Sequence, residues 1–163
     1  MDVLGIDIGG VIIDRVNEGT DTSFFSENYL ESSPTPDVFE SLARLVDQKF
    51  GDQVFLVSKA SKPTQKKTLE WLDHNRFAEL TGITLDHVRF CLKRSDKAPI
   101  AAELGLTHFI DDKLEVLSYL TTAQHQYLYR PLPKEVRRYA HHLDRVTVVK
   151  DWKALADSIL LPA

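Results

Sequence analysis

Several features are scarce in this sequence of 163 residues, and each scarcity excludes a class of protein. Cys91 is the single cysteine, so the chain can form neither an internal disulfide nor a cysteine-rich zinc site. No apolar run is long enough to span a bilayer, and Asp2 follows Met1 where a secretory signal would carry basic residues. The sequence therefore predicts a cytoplasmic protein with no membrane association.

The sequence also lacks an excess of basic residues. Lys and Arg number 20 against 24 Asp and Glu, which gives a formal net charge of −4. Because proteins that bind nucleic acids usually carry a basic surplus, a nucleic-acid partner is not expected. Hydrophobic residues make up 43% of the chain and charged residues 27%, as in an ordinary globular protein. This length predicts one domain over residues 1–163.

Strand-like and helix-like patterns alternate along the whole chain. Short apolar runs predict strands over 2–8, 53–58, 88–92, 107–112, 125–129 and 146–149. Helical spacing and helix-start signals predict helices beginning near 36, 61, 95, 114, 133 and 152. This alternation predicts a three-layer α/β/α Rossmann-like fold, with a mostly parallel sheet of five to six strands between helices.

One long segment, 14–36, interrupts this alternation. It is polar and irregular, and long loops of this kind in compact domains are usually functional. Phe24, Phe25 and Tyr29 are available within it to pack over a neighbouring site. We expect the segment to form a flap or a rudimentary cap.

Four predicted strand ends or helix starts carry reactive or charged side chains. Asp7 ends the first strand just before Gly9 and Gly10, and Ser58 ends the second. Lys97 lies at a helix start, and Asp111 with Asp112 ends the fourth strand. In an open α/β sheet, ligands bind beyond the carboxyl ends of the strands, so these groups are expected to meet there.

Each of these groups also has a purely structural interpretation. Asp7 could cap a turn that the glycines only shape, and Ser58 could cap a strand end. Lys97 could be a solvated surface lysine, and either Asp111 or Asp112 could cap the following helix. Adjacent carboxylates nevertheless repel each other unless a cation binds, so the acidic pair is the clearest single indication of a metal.

The order of these segments resembles the haloacid dehalogenase (HAD) superfamily of phosphotransferases. The motifs are Gly5-Ile6-Asp7-Ile8-Gly9-Gly10-Val11-Ile12, Leu56-Val57-Ser58, Ser95-Asp96-Lys97-Ala98-Pro99 and Phe109-Ile110-Asp111-Asp112. The match covers residues 2 to about 120, and no large cap domain fits in the chain, which resembles the small capless branch of the superfamily.

The resemblance implies a phosphatase that acts through an aspartyl-phosphate on Asp7. Ser58, Lys97, Gly9 and Gly10 would bind the phosphate, because a phosphoryl group requires donors around its charged oxygens. Mg²⁺ would be the cofactor, since it prefers hard oxygen ligands. The implied ligands are the carboxylates of Asp7, Asp111 and Asp112 and the backbone carbonyl of Gly9.

The sequence departs from the family at one position. Gly9 stands where HAD phosphatases have a second aspartate, the general acid and base, and losing such a group costs on the order of 10²–10⁴-fold in rate. A slow phosphohydrolase and a weakly active or inactive protein that binds a phosphorylated ligand or a protein partner both remain open. Phosphonate hydrolysis also fits the missing acid, but that branch needs a cap lysine.

The expected partner is a phosphorylated small molecule or a phosphorylated macromolecule. An open site without a cap suits large substrates, or a homodimer in which a neighbouring subunit closes the site. Lys59, Lys62, Lys66 and Lys67 follow Ser58 and form either a rim for a polyanion or an ordinary solvated helix face.

Overall fold

Six strands form one parallel sheet in the computed structural model, which describes residues 1–15 and 28–161. In chain order they are β1 Leu4–Ile6, β2 Val54–Lys59, β3 Val88–Cys91, β4 His108–Asp111, β5 His125–Tyr129 and β6 Thr147–Val149. Their order across the sheet is β3-β2-β1-β4-β5-β6, and each neighbouring pair is parallel. The predicted Rossmann-like sheet is therefore confirmed, with six strands.

The strand order places β1 at the centre of the sheet. Ile6 pairs with Leu56 of β2 on one side and with Ile110 of β4 on the other. On one side of β1 lie β2 and then β3, and on the other side lie β4, β5 and β6 in that order. The gap beyond the carboxyl ends of β1 and β4 is the topological switch point, where α/β proteins of this order bind ligands.

Two helical layers cover the sheet. The helices are α1 Val38–Leu45, α2 Lys62–His74, α3 Phe77–Thr81, α4 Lys97–Leu104, α5 Leu114–Tyr119, α6 Pro133–Arg138 and α7 Trp152–Leu160. Short 3₁₀ turns cover Tyr29–Glu31, Leu85–His87, Arg94–Asp96 and Ala140–Arg145, and a π turn covers Val46–Phe50. Helices α1, α2, α3 and α7 pack in one apolar cluster with the sheet, and α4, α5 and α6 pack in a second cluster on its other face.

Side chains alternate between the two clusters along β1. Leu4 and Ile6 belong to the first cluster. Gly5 faces the second, where an added Cβ would lie 2.5 Å from Leu106 Cδ1 and 2.6 Å from Phe109 Cδ1. Glycine at this position lets the second layer pack against the central strand, which places α4 and its first residue close to the end of β1.

Some element boundaries differ from the prediction. The first strand is only Leu4–Ile6, because the chain turns after Asp7 and the amides of Val11, Ile12 and Ile13 all donate to the Ile8 carbonyl. The helix predicted near Asp37 begins at Val38, and Asp37 has a left-handed backbone with φ 65°. Aspartate tolerates that conformation better than most residues.

Part of the predicted flap, 16–27, lies outside the described residues, including Phe24 and Phe25. The described part is attached to the body of the fold. Ile13 bridges to Pro34, and Trp71 Nε1 donates to the Ser32 carbonyl at 2.8 Å. Tyr29 lies against α2, where its hydroxyl donates to Glu70 and its ring is 5.3 Å from Lys67 Nζ. Tyr29 therefore packs on α2, not over the switch point.

Among the described residues, no helix combines the length and apolarity that crossing a bilayer would require.

Candidate active site

Three carboxylates meet beyond the carboxyl ends of β1 and β4. Asp7 follows β1, and its backbone amide donates to the Ile110 carbonyl at 2.9 Å, which ties the end of β1 to β4. Asp111 is the last residue of β4, and Asp112 follows it. All three are buried, and each offers a carboxylate oxygen within 4.8 Å of the others. The predicted grouping of Asp7, Asp111 and Asp112 is therefore present in the structure.

Lys97 is the cation that joins two of these carboxylates. It begins α4, only 2% of it is exposed, and its Nζ lies 2.9 Å from both Asp7 Oδ1 and Asp111 Oδ2. Burial by itself would lower the pKa of the Lys97 ammonium, but the charges of Asp111 and Asp7 outweigh burial and raise it above the ordinary value. Lys97 is therefore a protonated, buried partner of two acids and not a solvated surface lysine.

The two adjacent aspartates have different surroundings. Asp111 accepts from Lys97 through Oδ2 and from the Lys113 amide through Oδ1 at 3.0 Å, so both of its oxygens are engaged. Asp112 accepts no hydrogen bond within the described part of the chain, and its ion pair with Arg15 is long, with Nη1 3.8 Å from Oδ2. Asp111 is thus held in place by the protein, whereas the Asp112 oxygens remain available to a ligand.

Excess negative charge changes the acidity of this pair. Burial and the charge of Asp7 raise the pKa of Asp111 to about 6, although Lys97 acts in the opposite direction. Burial, followed by the charges of Asp7 and Asp111, raises the pKa of Asp112 well above its ordinary value. A bound cation would lower the pKa values of both groups again, because it favours their ionised forms.

The two glycines after Asp7 have different roles. Gly10 has φ 81°, and a Cβ there would lie 2.5 Å from Asp112 Oδ2, so the turn and the close approach both require glycine. Its amide donates to the Ile13 carbonyl at 2.9 Å and is not available to a ligand. Gly9 is exposed, its φ is not in the left-handed region, and no atom of the described residues lies within 4 Å of an added Cβ.

A cavity of about 370 Å³ opens above these residues. Ser58 lines it, is 7% exposed and makes no side-chain hydrogen bond within the described ranges, so its hydroxyl is available to a ligand. Thr64 and Thr68, one turn apart on α2, line the neighbouring wall. The cavity therefore holds every predicted site residue: Asp7, Gly9, Gly10, Ser58, Lys97, Asp111 and Asp112.

The lysine group after Ser58 divides in the structure. Lys59 lines the cavity, whereas Lys62 and Lys66 are exposed on α2 away from it and Lys67 lies over the Tyr29 ring. Four aromatic residues, Trp71, Trp152, Tyr127 and Tyr129, are buried and pack in the core. None of the six histidines lines the cavity.

Sequence reasoning missed several residues that surround the acids. Arg15, Arg94 and Lys113 line the cavity together with Asp14. Lys113 directly follows the acidic pair and Arg94 directly precedes the motif that contains Lys97, so proximity to a motif was an available signal for both. Arg15 has no such signal, because its Nη2 donates to the carbonyl of Arg130, 115 residues away in sequence, at 2.5 Å.

The donor set of this site fits a hard divalent cation. It offers only oxygen ligands, namely the carboxylates of Asp7 and Asp112 and the exposed backbone at Gly9, and it contains no cysteine or histidine. Mg²⁺ favours such ligands and binds through few carboxylates with water or substrate oxygens in its other positions. The residues present therefore suit Mg²⁺.

No model of a known protein family matches the chain, and no curated protein is significantly similar to it.

Proposed function

We propose that the chain is a HAD-like, Mg²⁺-dependent phosphohydrolase that acts through an aspartyl-phosphate on Asp7. The observation that carries this proposal is the buried junction of Asp7, Asp111, Asp112 and Lys97 at the switch point of the sheet. A structural ion pair alone does not account for it, because Lys97 pairs only with Asp7 and Asp111, while the third buried carboxylate, Asp112, accepts no hydrogen bond within the described residues. Its expected substrate is a phosphorylated small molecule or macromolecule.

Asp7 has the geometry of a nucleophile in this proposal. Lys97 binds its Oδ1, which orients the carboxylate and leaves Oδ2 to attack phosphorus. The Oδ2–P bond forms as the ester P–O bond breaks, and the leaving oxygen departs with the bonding electron pair and takes a proton from solvent water. Water then attacks the phosphorus and gives a proton back to solvent as the Oδ2–P bond breaks, which releases phosphate and the free Asp7 carboxylate.

Donors around the cavity would hold the phosphoryl oxygens. The Ser58 hydroxyl and the Lys97 ammonium supply two of them. The Gly9 amide makes no backbone hydrogen bond within the described residues and is a third, whereas the Gly10 amide is used by the Ile13 carbonyl. Gly10 would then contribute by its shape, because it lets Asp112 approach the turn.

Asp7, Asp112 and the Gly9 carbonyl would hold Mg²⁺, and Asp111 would act by positioning Lys97. When bound, the ion supplies charge neutralisation between the carboxylates and the phosphoryl oxygens.

A second candidate function is binding of a phosphorylated ligand without efficient turnover. Gly9 favours it, because no carboxylate is present there to protonate the leaving oxygen or to activate water. Asp14 is the remaining described carboxylate at the cavity wall, and it lies 3.7 Å from Arg130 Nη1. Phosphate binding is thus supported by more of the site than fast hydrolysis is.

The test combines Mg²⁺ binding with detection of the covalent intermediate. We expect millimolar Mg²⁺ to raise the thermal stability of the protein, because a ligand selective for the folded state stabilises it. With 4-nitrophenyl phosphate and Mg²⁺, rapid quenching should give a protein mass increased by one phosphoryl group. Asp7→Asn, which keeps an oxygen acceptor for Lys97, should abolish the adduct.

Two results would separate the alternatives. Binding of Mg²⁺ and inorganic phosphate without an adduct or turnover would favour the ligand-binding function. Absence of both Mg²⁺ binding and phosphate binding would exclude both functions.

A further inference from the structure

Three basic side chains line the cavity around the acidic junction in addition to Lys97 and Arg15. Lys59, Arg94 and Lys113 all belong to its lining. Lys59 alternates with Ser58 along β2 and so lies on the same face of the sheet as Val57, which packs with α4 and α5. Arg94 precedes α4, and Lys113 directly precedes α5. We call these three residues the basic wall.

The members of the basic wall differ in how they are paired. Arg94 forms an ion pair with Glu115, with Nη1 2.7 Å from Oε1. The ammonium groups of Lys59 and Lys113 have neither a hydrogen bond nor an ion pair within the described part of the chain. Two lysines beside a cavity, on either side of the acidic junction, are therefore available to an anion.

The balance of charges in the cavity indicates that the phosphoryl group alone does not neutralise Lys59 and Lys113. Four cationic side chains that line the cavity form no ion pair with a carboxylate outside it among residues 1–15 and 28–161, and they are Arg15, Lys59, Lys97 and Lys113. They face the carboxylates of Asp7, Asp111 and Asp112, while Asp14 lies beside Arg130. With Mg²⁺ bound, a phosphate monoester dianion would still leave positive charge unmatched, and of these four cations only Lys59 and Lys113 form no ion pair within the described residues.

We propose that the basic wall binds a second anionic group of the substrate, a carboxylate or a phosphate separate from the phosphoryl group that is transferred. This inference rests on the proposed function and specifies its substrate class. The substrate is then an anionic phosphate ester carrying a second negative group, and phosphate esters of simple neutral alcohols bind less tightly to this site. The cavity of about 370 Å³ has room for such a small molecule.

The test compares phosphonates that cannot be hydrolysed. Calorimetry with saturating Mg²⁺ would measure the affinities of ethylphosphonate, 2-carboxyethylphosphonate and 1,3-propanediylbisphosphonate. We expect at least one of the two probes with a second anion to bind about 25-fold more tightly than ethylphosphonate, because two lysines contribute, and the comparison of the two probes distinguishes a carboxylate from a phosphate subsite. Partly exposed ion pairs of about 1 kcal/mol correspond to about fivefold each.

Single substitutions assign that preference to the wall. Lys59→Gln and Lys113→Gln should each reduce about fivefold the affinity of the preferred probe relative to that of ethylphosphonate. Lys66→Gln, which changes an exposed lysine on α2, should leave this ratio unchanged. Equal affinities for all three probes in the wild type would overturn the second subsite and leave the proposed function intact. A preference that survives in both wall variants would also overturn it, and failure of every phosphonate to bind would overturn both proposals.

Discussion

Gly9 and Gly10 are adjacent, yet the structure imposes a glycine requirement on only one of them. Gly10 combines a positive φ with close contact to Asp112, whereas Gly9 has ordinary backbone geometry and open space around its Cα. The position at which the chain departs from the HAD pattern is therefore free to accept a side chain. Glycine at position 9 is therefore not a structural necessity of this turn.

Gly9→Asp is expected to fold with the stability of the wild type and to raise turnover of alkyl phosphates. The new carboxylate would supply the missing acid and base, a gain on the order of 10²-fold if it reaches the leaving oxygen. Steady-state kinetics and urea unfolding of the purified variant would measure the two effects.

Gly10→Ala is the matched control for Gly9→Asp. A Cβ at position 10 meets Asp112 and requires a positive φ, so this variant should lose about 1–3 kcal/mol of unfolding free energy. Comparable loss of stability in Gly9→Asp would contradict the assignment of open space at position 9.

Asp112→Asn is expected to stabilise the metal-free protein and to weaken Mg²⁺ binding. Burial and the charges of Asp7 and Asp111 raise the pKa of Asp112, so its ionised form opposes folding at neutral pH, and removing the charge should raise the unfolding free energy of the metal-free protein. Thermal unfolding would show a higher melting temperature for Asp112→Asn than for the wild type without Mg²⁺. The increase in melting temperature on adding Mg²⁺ would be smaller in the variant.

Asp111→Asn, in contrast, should lower the stability of the metal-free protein. It weakens an acceptor of the buried Lys97 ammonium, and breaking a buried pair costs more than it gains. If Asp112→Asn lowered stability and kept the wild-type Mg²⁺ response, the roles assigned to the two aspartates would be wrong.

At the scale of elements, helix α5 is capped from outside its own sequence. The carboxylate of Glu135 on α6 accepts from the Leu114 amide at 2.8 Å and from the Glu115 amide at 2.9 Å. Lys113 precedes these residues and makes no side-chain cap. A negative group at this helix start satisfies free amides and interacts favourably with the helix dipole.

Glu135→Ala is expected to lower the unfolding free energy by about 1–2 kcal/mol, because two amides at the start of α5 lose their acceptor. Chemical denaturation would measure the change, and hydrogen exchange should report it locally at Leu114 and Glu115. Glu103→Ala, at an exposed position of α4, should change stability by less than about 0.5 kcal/mol. Equal effects of the two substitutions would show that the carboxylate does not cap α5.

At the scale of the whole molecule, the edge of the sheet opposite the site carries a buried histidine. His108 begins β4, stacks on His125 with ring centroids 4.4 Å apart and contacts the Phe50 ring edge to face. Burial, with a smaller effect from His125, lowers the pKa of His108 to about 4. The charge of Asp2 raises the pKa of His108, and the charge of Lys49 lowers it further.

The stability of the fold should consequently depend on His108 between pH 6.5 and 4. In that window the unfolded chain binds a proton at this histidine and the folded chain does not, so stability falls as the pH falls. At pH 5 the loss from this residue is about 2 kcal/mol relative to neutral pH. Asp111 and Asp112, with raised pKa values, act in the opposite direction over part of this range.

His108→Asn isolates that contribution. Urea unfolding at pH 7 and pH 5 should show a smaller loss on acidification in His108→Asn than in the wild type. His141→Asn, an exposed position, should keep the wild-type dependence. An unchanged pH dependence in His108→Asn would show that His108 is not the buried neutral base.

The sequence by itself determined the α/β class, the approximate position of every strand and the acids at the ends of β1 and β4. These features are local, because strand periodicity, turn glycines and a carboxylate after an apolar run are encoded by neighbouring residues. The HAD resemblance added an expected grouping of Asp7, Ser58, Lys97, Asp111 and Asp112, and the grouping itself is present. The phosphoryl transfer proposed for this group of residues is a prediction.

Only the tertiary structure decided how those residues interact. Lys97 reaches Asp7 across 90 residues and Asp111 across 14 because β1 lies beside β4 under the start of α4. The cap on α5 depends in the same way on packing against α6. The raised pKa values of the acids depend on burial, which is the sum of contacts from many segments and leaves no local pattern in the sequence.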